Sequence, residues 1–247
     1  MDAIDTKQNL KLNIIEVTPN EEGNFTAQEG KKIPHLKTGT TTVACKVKDG
    51  VVLATDNRAT MGLFIASKTA KKVHRIQDYE YMTIAGGVAD AQYLIDLLRA
   101  ETNLYNMQNV RQISVGQTSK LLQNILYNNK GYFEVGHILA GYTEGEGPKV
   151  FDIEGYGSVL DEDYVSIGSG SNYAIGILET EWKPDLSLEE GMVLCAKAVR
   201  SSLARDIGSG NGIDVVGISK GKPVVEKSFK TTDKELIECN FNFSKGK

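Results

Sequence analysis

The stretch from residue 40 to residue 55 constrains the fold most. Val43, Cys45 and Val47 alternate with polar neighbours, an Asp49-Gly50 pair follows, and Val51-Val52-Leu53-Ala54 resumes the apolar run at once. Alternation at period two marks a strand with one buried face, and Asp-Gly between two such runs is a strong hairpin signal. The globular part therefore begins with an antiparallel pair. Residues 1–39 read differently, being polar and charge-mixed, with Asn20-Glu21-Glu22-Gly23-Asn24 and Gln28-Glu29-Gly30-Lys31-Lys32 as loose segments. Leu10 to Val17 could form a short strand, but little around it could bury a face, so residues 1–39 are expected to be a loosely held leader.

Beyond the hairpin, strands are predicted through Lys71–Ile76 and Tyr81–Ala85. The period then changes. Ala91, Leu94, Ile95 and Leu98 lie at helical spacing, as do Leu122, Ile125 and Leu126, so two helices follow the first sheet. Strands return at His137–Tyr142 and Lys149–Ile153, separated by the turn-rich Glu144-Gly145-Glu146-Gly147-Pro148. Ser187-Leu188-Glu189-Glu190 has the form of a capping box, and Met192, Cys195, Ala196, Val199 and Leu203 form the stripe of a helix running towards Asp206. Strands at Ile213–Ser219 and Pro223–Lys227 close the pattern. Sheet, helices, sheet, helix, sheet predicts an α+β domain of packed layers, without internal repeat or linker.

The chain has 247 residues, 40% of them hydrophobic, enough for a substantial core. Its formal charge of -4 leaves no basic excess to neutralise phosphates, which argues against nucleic acid as a partner. Cys45, Cys195 and Cys239 are isolated from one another in sequence, so a disulfide framework is not expected and a reducing cytoplasm is. The start, Met1-Asp2-Ala3-Ile4-Asp5, lacks a basic region leading into an apolar stretch, so no secretory signal is expected either. No apolar run approaches the length of about 20 residues that a membrane span needs.

Chemistry is concentrated around Lys37-Thr38-Gly39-Thr40-Thr41-Thr42. A threonine hydroxyl is a poor nucleophile, and freeing its own α-amino group would supply the base it needs. Gly39 would then end the removable leader. A Thr-rich run taken alone is ordinary strand sequence. Five downstream motifs change the reading: Asp56-Asn57-Arg58-Ala59-Thr60, then Lys71-Lys72, then Ile84-Ala85-Gly86-Gly87-Val88, then Ile167-Gly168-Ser169-Gly170, then Arg205-Asp206-Ile207-Gly208-Ser209-Gly210. With these motifs in this order, residues 40–227 resemble a proteasome β-subunit precursor of the archaeal type, a threonine protease among the N-terminal nucleophile hydrolases.

The resemblance implies a four-layer αββα sandwich, two stacked antiparallel sheets flanked by helices, for residues 40–227. Residues 1–39 would be the propeptide, and 228–247 a tail beyond the family's core. It also implies roles: Thr40 as nucleophile, Lys72 as the cation beside it, Asp56 as the partner of Lys72. Ser169, Asp206 and Ser209 would hold the threonine amine, and the Gly86 N–H would form the oxyanion hole. Each motif alone has a plainer reading. Asp56 and Lys72 could be an ordinary ion pair, Gly-Ser-Gly a flexible turn, and Gly86-Gly87 a tight turn before a helix. Ala59, Ala70, Ile84 and Val88 fall where the family lines its S1 pocket, though core packing explains apolar strand residues equally well. Ile84 as pocket floor would favour uncharged, apolar P1 side chains.

His35, His74 and His137 are scattered, His137 within an apolar strand, and no HExxH is present, so neither a metal nor an organic cofactor is expected. Ala85-Gly86-Gly87 lacks the spacing of a phosphate loop. By resemblance, the partners would be proteasome α subunits, other β subunits in seven-membered rings, unfolded polypeptide substrates, and a regulatory ATPase complex reached through the α rings. Two rivals remain: a ring subunit that stays unprocessed, which typically lacks the threonine, the lysine or the preceding glycine, and another N-terminal nucleophile amidohydrolase.

Overall fold

The computed structural model describes residues 39–243; residues 1–38 of the expected leader, with the expected strand at Leu10–Val17, lie outside them. In chain order the first elements are β1 (Thr42–Val47), β2 (Gly50–Asp56), β3 (Ala59–Met61), β4 (Phe64–Ser67), β5 (Val73–Gln77), β6 (Glu80–Thr83) and β7 (Ala85–Gly86). Helices α1 (Val88–Asn109) and α2 (Val115–Asn128) follow, then β8 (Val135–Thr143), β9 (Gly147–Glu154), β10 (Val159–Asp161) and β11 (Tyr164–Ile167). The chain ends with α3 (Ser171–Glu181), α4 (Leu188–Leu203), β12 (Gly212–Ser219), β13 (Val225–Lys230) and α5 (Lys234–Glu238).

The first sheet runs in the order β11-β1-β2-β12-β13 and the second in the order β10-β9-β8-β6-β5, all pairs antiparallel. Three apolar clusters show how they stack. Val43, Cys45, Val52, Ala54 and Val215 of the first sheet pack under Ala174 and Leu178 of α3 and Met192, Cys195 and Val199 of α4. Ala44, Leu53 and Val216 face Tyr81, Ile138 and Ala140 between the sheets. Met82, Leu139 and Ile153 of the second sheet pack against Leu94, Ile95 and Leu98 of α1 and Leu122 and Leu126 of α2. Period-two alternation thus gives each sheet two buried faces, one towards helices and one towards the other sheet. The expected αββα order is the one found.

Local chemistry explains several boundaries. Ser187 accepts the Glu190 N–H while the Glu190 carboxylate reaches back to the Ser187 N–H, the capping box expected for α4. The same reciprocal box starts α2 through Ser114 and Gln117. Helix α4 stops at Leu203, three residues short of Asp206, leaving that residue in a loop. Strand β13 continues to Lys230, beyond the expected end at Lys227. After α5 the chain packs back: Phe241 and Phe243 meet Phe229 with ring centroids 5.1 and 5.6 Å apart. Cys45 and Cys195, remote in sequence, touch at 3.5 Å between β1 and α4, both as free thiols. No helix among the described residues is long and apolar enough to cross a membrane.

Candidate active site

Register brings the candidate residues to one end of the first sheet. Thr42 pairs with Thr55 on one side and Ile167 on the other, while Asp56 pairs with Ile213. The segments just beyond these pairs, residues 39–41, 56–58, 168–170 and 206–211, therefore converge. Gly168 has φ of 104°, a conformation that glycine adopts without strain, and a Cβ there would overlap the Thr40 carbonyl.

Thr40, Lys72 and Asp56 are all buried, at 4%, 4% and 0% exposure. The Lys72 ammonium donates to Asp56 Oδ1 at 2.7 Å, to Thr40 Oγ1 at 3.0 Å and to the Gly39 carbonyl oxygen at 3.2 Å. The Thr40 hydroxyl itself donates to the Gly39 oxygen at 2.7 Å. A carboxylate with no exposure must have its oxygens satisfied. Besides Lys72, Asp56 accepts the backbone N–H groups of Thr41, Arg58 and Gly210, each at 2.9 Å. Burial lowers the Lys72 pKa from its ordinary value, and the neighbouring Asp56 charge opposes that shift. A lysine so placed keeps a cation's reach but gives up its proton more readily than a surface lysine.

Asp206, Ser169 and Ser209 form a second group around the Thr40 backbone. Asp206 Oδ2 accepts hydrogen bonds from Ser169 Oγ at 2.7 Å and from Ser209 Oγ at 2.6 Å. A hydroxyl has one proton, so both serines then turn lone pairs outward. Ser169 Oγ accepts the Thr40 N–H at 3.1 Å, and the Thr41 hydroxyl, 2.6 Å from Ser209 Oγ, is the donor of that pair. Arg58 ties the same loop down, giving Nε to Asn211 Oδ1 at 2.9 Å and Nη1 to the Ile207 carbonyl at 2.8 Å.

Gly39 lies directly against Gly208. A Cβ on either would overlap the other's backbone. Gly86, with φ of 94°, is exposed at the end of β7 beside Val135. Of the expected pocket residues, Ala59 and Ala70 are half-buried and Val88 is exposed at the start of α1. Ala70 donates its N–H to the Asn57 carbonyl at 2.9 Å. Ile84 is 7% exposed and belongs to the cluster under α1, while its N–H bonds the Lys72 carbonyl at 2.9 Å. Thr41, Arg58 and Thr60 carry contacts that the sequence motifs contained but did not assign. His137 is buried with Nδ1 3.0 Å from the Thr83 carbonyl. Among the described residues, no group of three His, Cys, Asp or Glu side chains is placed to hold a metal ion.

Comparison with known proteins accords with this geometry. The family model described as "Proteasome subunit" matches residues 36–218. A relative named "Proteasome subunit beta 2" from Nitrosopumilus maritimus is 43% identical over 190 residues, 77% of this chain and 89% of the relative. "Proteasome subunit beta" from Methanoregula boonei is 46% identical over 186 residues, 75% and 87% of the two chains. Its namesake from Methanopyrus kandleri is 38% identical over 211 residues, 84% and 98% of the two. The chain belongs to the proteasome subunit family, as a β subunit.

Proposed function

We propose that this β subunit is a threonine endopeptidase that activates itself by cutting between Gly39 and Thr40. The observation that carries the reading is the reach of one buried lysine to both reacting groups, Thr40 Oγ1 at 3.0 Å and the Gly39 carbonyl oxygen at 3.2 Å. In the uncut chain the Thr40 nitrogen is an amide and cannot act as base, so the neutral amine form of Lys72, which burial favours, takes the hydroxyl proton and becomes the ammonium that can later protonate the leaving nitrogen. Oγ bonds to the Gly39 carbonyl carbon, the carbon–nitrogen bond breaks, and the leaving nitrogen takes a proton. The product is an ester of Gly39 on Thr40 with a free α-amine. Water then hydrolyses the ester, leaving a Gly39 carboxylate on the leader and Thr40 as the new N-terminus.

From then on the amine serves as base towards peptide substrates, held by Ser169, which Asp206 orients while Ser209 bonds the same Asp206 oxygen. Substrate acylates Oγ, and water releases it. Gly86 is assigned the donor to the developing oxyanion. The site sits in a core particle of seven-membered β rings between α rings, fed with unfolded polypeptide by a regulatory ATPase complex on the α rings. Free Cys45, Cys195 and Cys239 suit a reducing cytoplasm.

The test is to co-express the chain with an α subunit and weigh the intact β chain, beside Thr40→Ala. The expected wild-type mass is that of a chain beginning at Thr40, with T40A uncut. A wild-type chain uncut within an assembled ring would overturn self-activation.

A further inference from the structure

Thr60 is an inward-facing hydroxyl on a strand whose neighbours turn away. In β3 the residues run half-buried, buried, exposed, and the pairing with β4 slips between Ala59 and Thr60. Such an irregularity re-aims a side chain out of the regular pleat. Thr60 is 5% exposed, and its Oγ1 accepts the Gly39 N–H at 2.8 Å. We infer that the Thr60 hydroxyl is a positioning group for leader removal, holding the residue before the cut in the conformation that presents its carbonyl to Thr40; the inference rests on the self-cleavage reading above.

The need for such a group follows from the residue it holds. Glycine has more backbone freedom than any other residue, so a scissile carbonyl on glycine would swing about φ and ψ unless fixed. At one end the Gly39 oxygen is held by Lys72 and by the Thr40 hydroxyl. At the other the N–H is held by Thr60, and Gly208 closes one side. Two tethers on one residue remove both rotations. Attack geometry is then set before the proton moves, which is how bound reactants gain rate. The contact belongs to the uncut chain, because the Gly39 N–H leaves with the leader.

The experiment compares wild type with Thr60→Val, Thr60→Ala and Thr60→Ser, each full-length and co-expressed with the α subunit. Particle assembly is followed by native mass, and leader removal over time by intact mass of the β chain. Thr60→Val and Thr60→Ala are expected to assemble and to lose the leader about tenfold more slowly, the effect of one buried hydrogen bond on a barrier. Thr60→Ser, which keeps the hydroxyl, is expected to recover the wild-type rate. Wild-type processing in T60V and T60A would overturn the inference, as would equal slowing in all three variants, which would mean packing rather than the hydroxyl. Failure of both T60V and T60A to assemble would place Thr60 in the fold and also sink it. A wild-type chain that never loses its leader would instead condemn the self-cleavage reading itself.

Discussion

A methyl group at position 39 would have to share space with the Gly208 backbone, and the carbonyl beside it sits between Lys72 and Thr40. Gly39→Ala is therefore expected to leave the particle assembled and the leader attached, with the cleavage rate lowered by about 10²-fold or more, the usual cost of misplacing a reacting atom by about an ångström. Intact mass reads the outcome, and a G39A chain cut at the wild-type rate would contradict the close contact. At this scale no single residue type was decisive, since Asp56 with Lys72 could be an ordinary ion pair and Gly-Ser-Gly a turn. It was the motifs in their order, through the resemblance they carry, that pointed to Asp56, Lys72, Ser169, Asp206 and Ser209, which lie close around Thr40. Thr41 and Thr60 were hidden because threonine in a strand is ordinary, and whether its hydroxyl serves a neighbour depends on segments well over a hundred residues away or on a leader.

Among the elements, those specified by local rules were legible. The Asp49-Gly50 hairpin and the Ser187–Glu190 box depend on a few adjacent residues, and so does the Ser114–Gln117 box, whose pattern is equally present in the sequence. Helix α3 was not, because it buries only Ala174 and Leu178 and has no clear stripe. Strand β11 exists through pairing with β1, more than a hundred residues earlier. The β3–β4 hairpin exposes Met61, Leu63 and Phe64, so its pattern does not separate a buried face. Strand β8 carries a cost that its apolar pattern conceals: buried His137, whose Nε2 has no partner among the described residues and whose pKa desolvation lowers to about 4. The unfolded chain protonates this ring near its ordinary value of 6.5 while the folded chain resists. The stability linked to His137 is thus whole above pH 6.5 and lost as pH falls towards 4, by roughly 3 kcal/mol. His137→Gln should flatten acid unfolding across that window, followed through the fluorescence of the single tryptophan, Trp182.

For the molecule as a whole, the four layers were expected but the integration of the C-terminus was not. Leu236 and Phe241 are buried, and Phe229 beneath them is 3% exposed. Arg200 of α4 gives Nε to the Leu236 carbonyl at 2.7 Å and Nη2 to the Ile237 carbonyl at 3.0 Å. Residues past β13 therefore extend the helix-side cluster. Ending the chain at Lys230 should lower unfolding stability by about 3–9 kcal/mol, two to three apolar side chains removed or uncovered at about 1.5–3 kcal/mol each. Denaturant titration of the truncated and full chains measures it, and equal midpoints would mean the tail contributes nothing.

The contact between Gly39 and Gly208 has a consequence for inheritance. A cut after Gly39 would discard the residue on which activation depends, so its constraint would be invisible in the finished enzyme. Damage at position 39 would behave as a loss of activity encoded outside the active chain, and Gly208, which stays behind, would carry the imprint of a neighbour it no longer has.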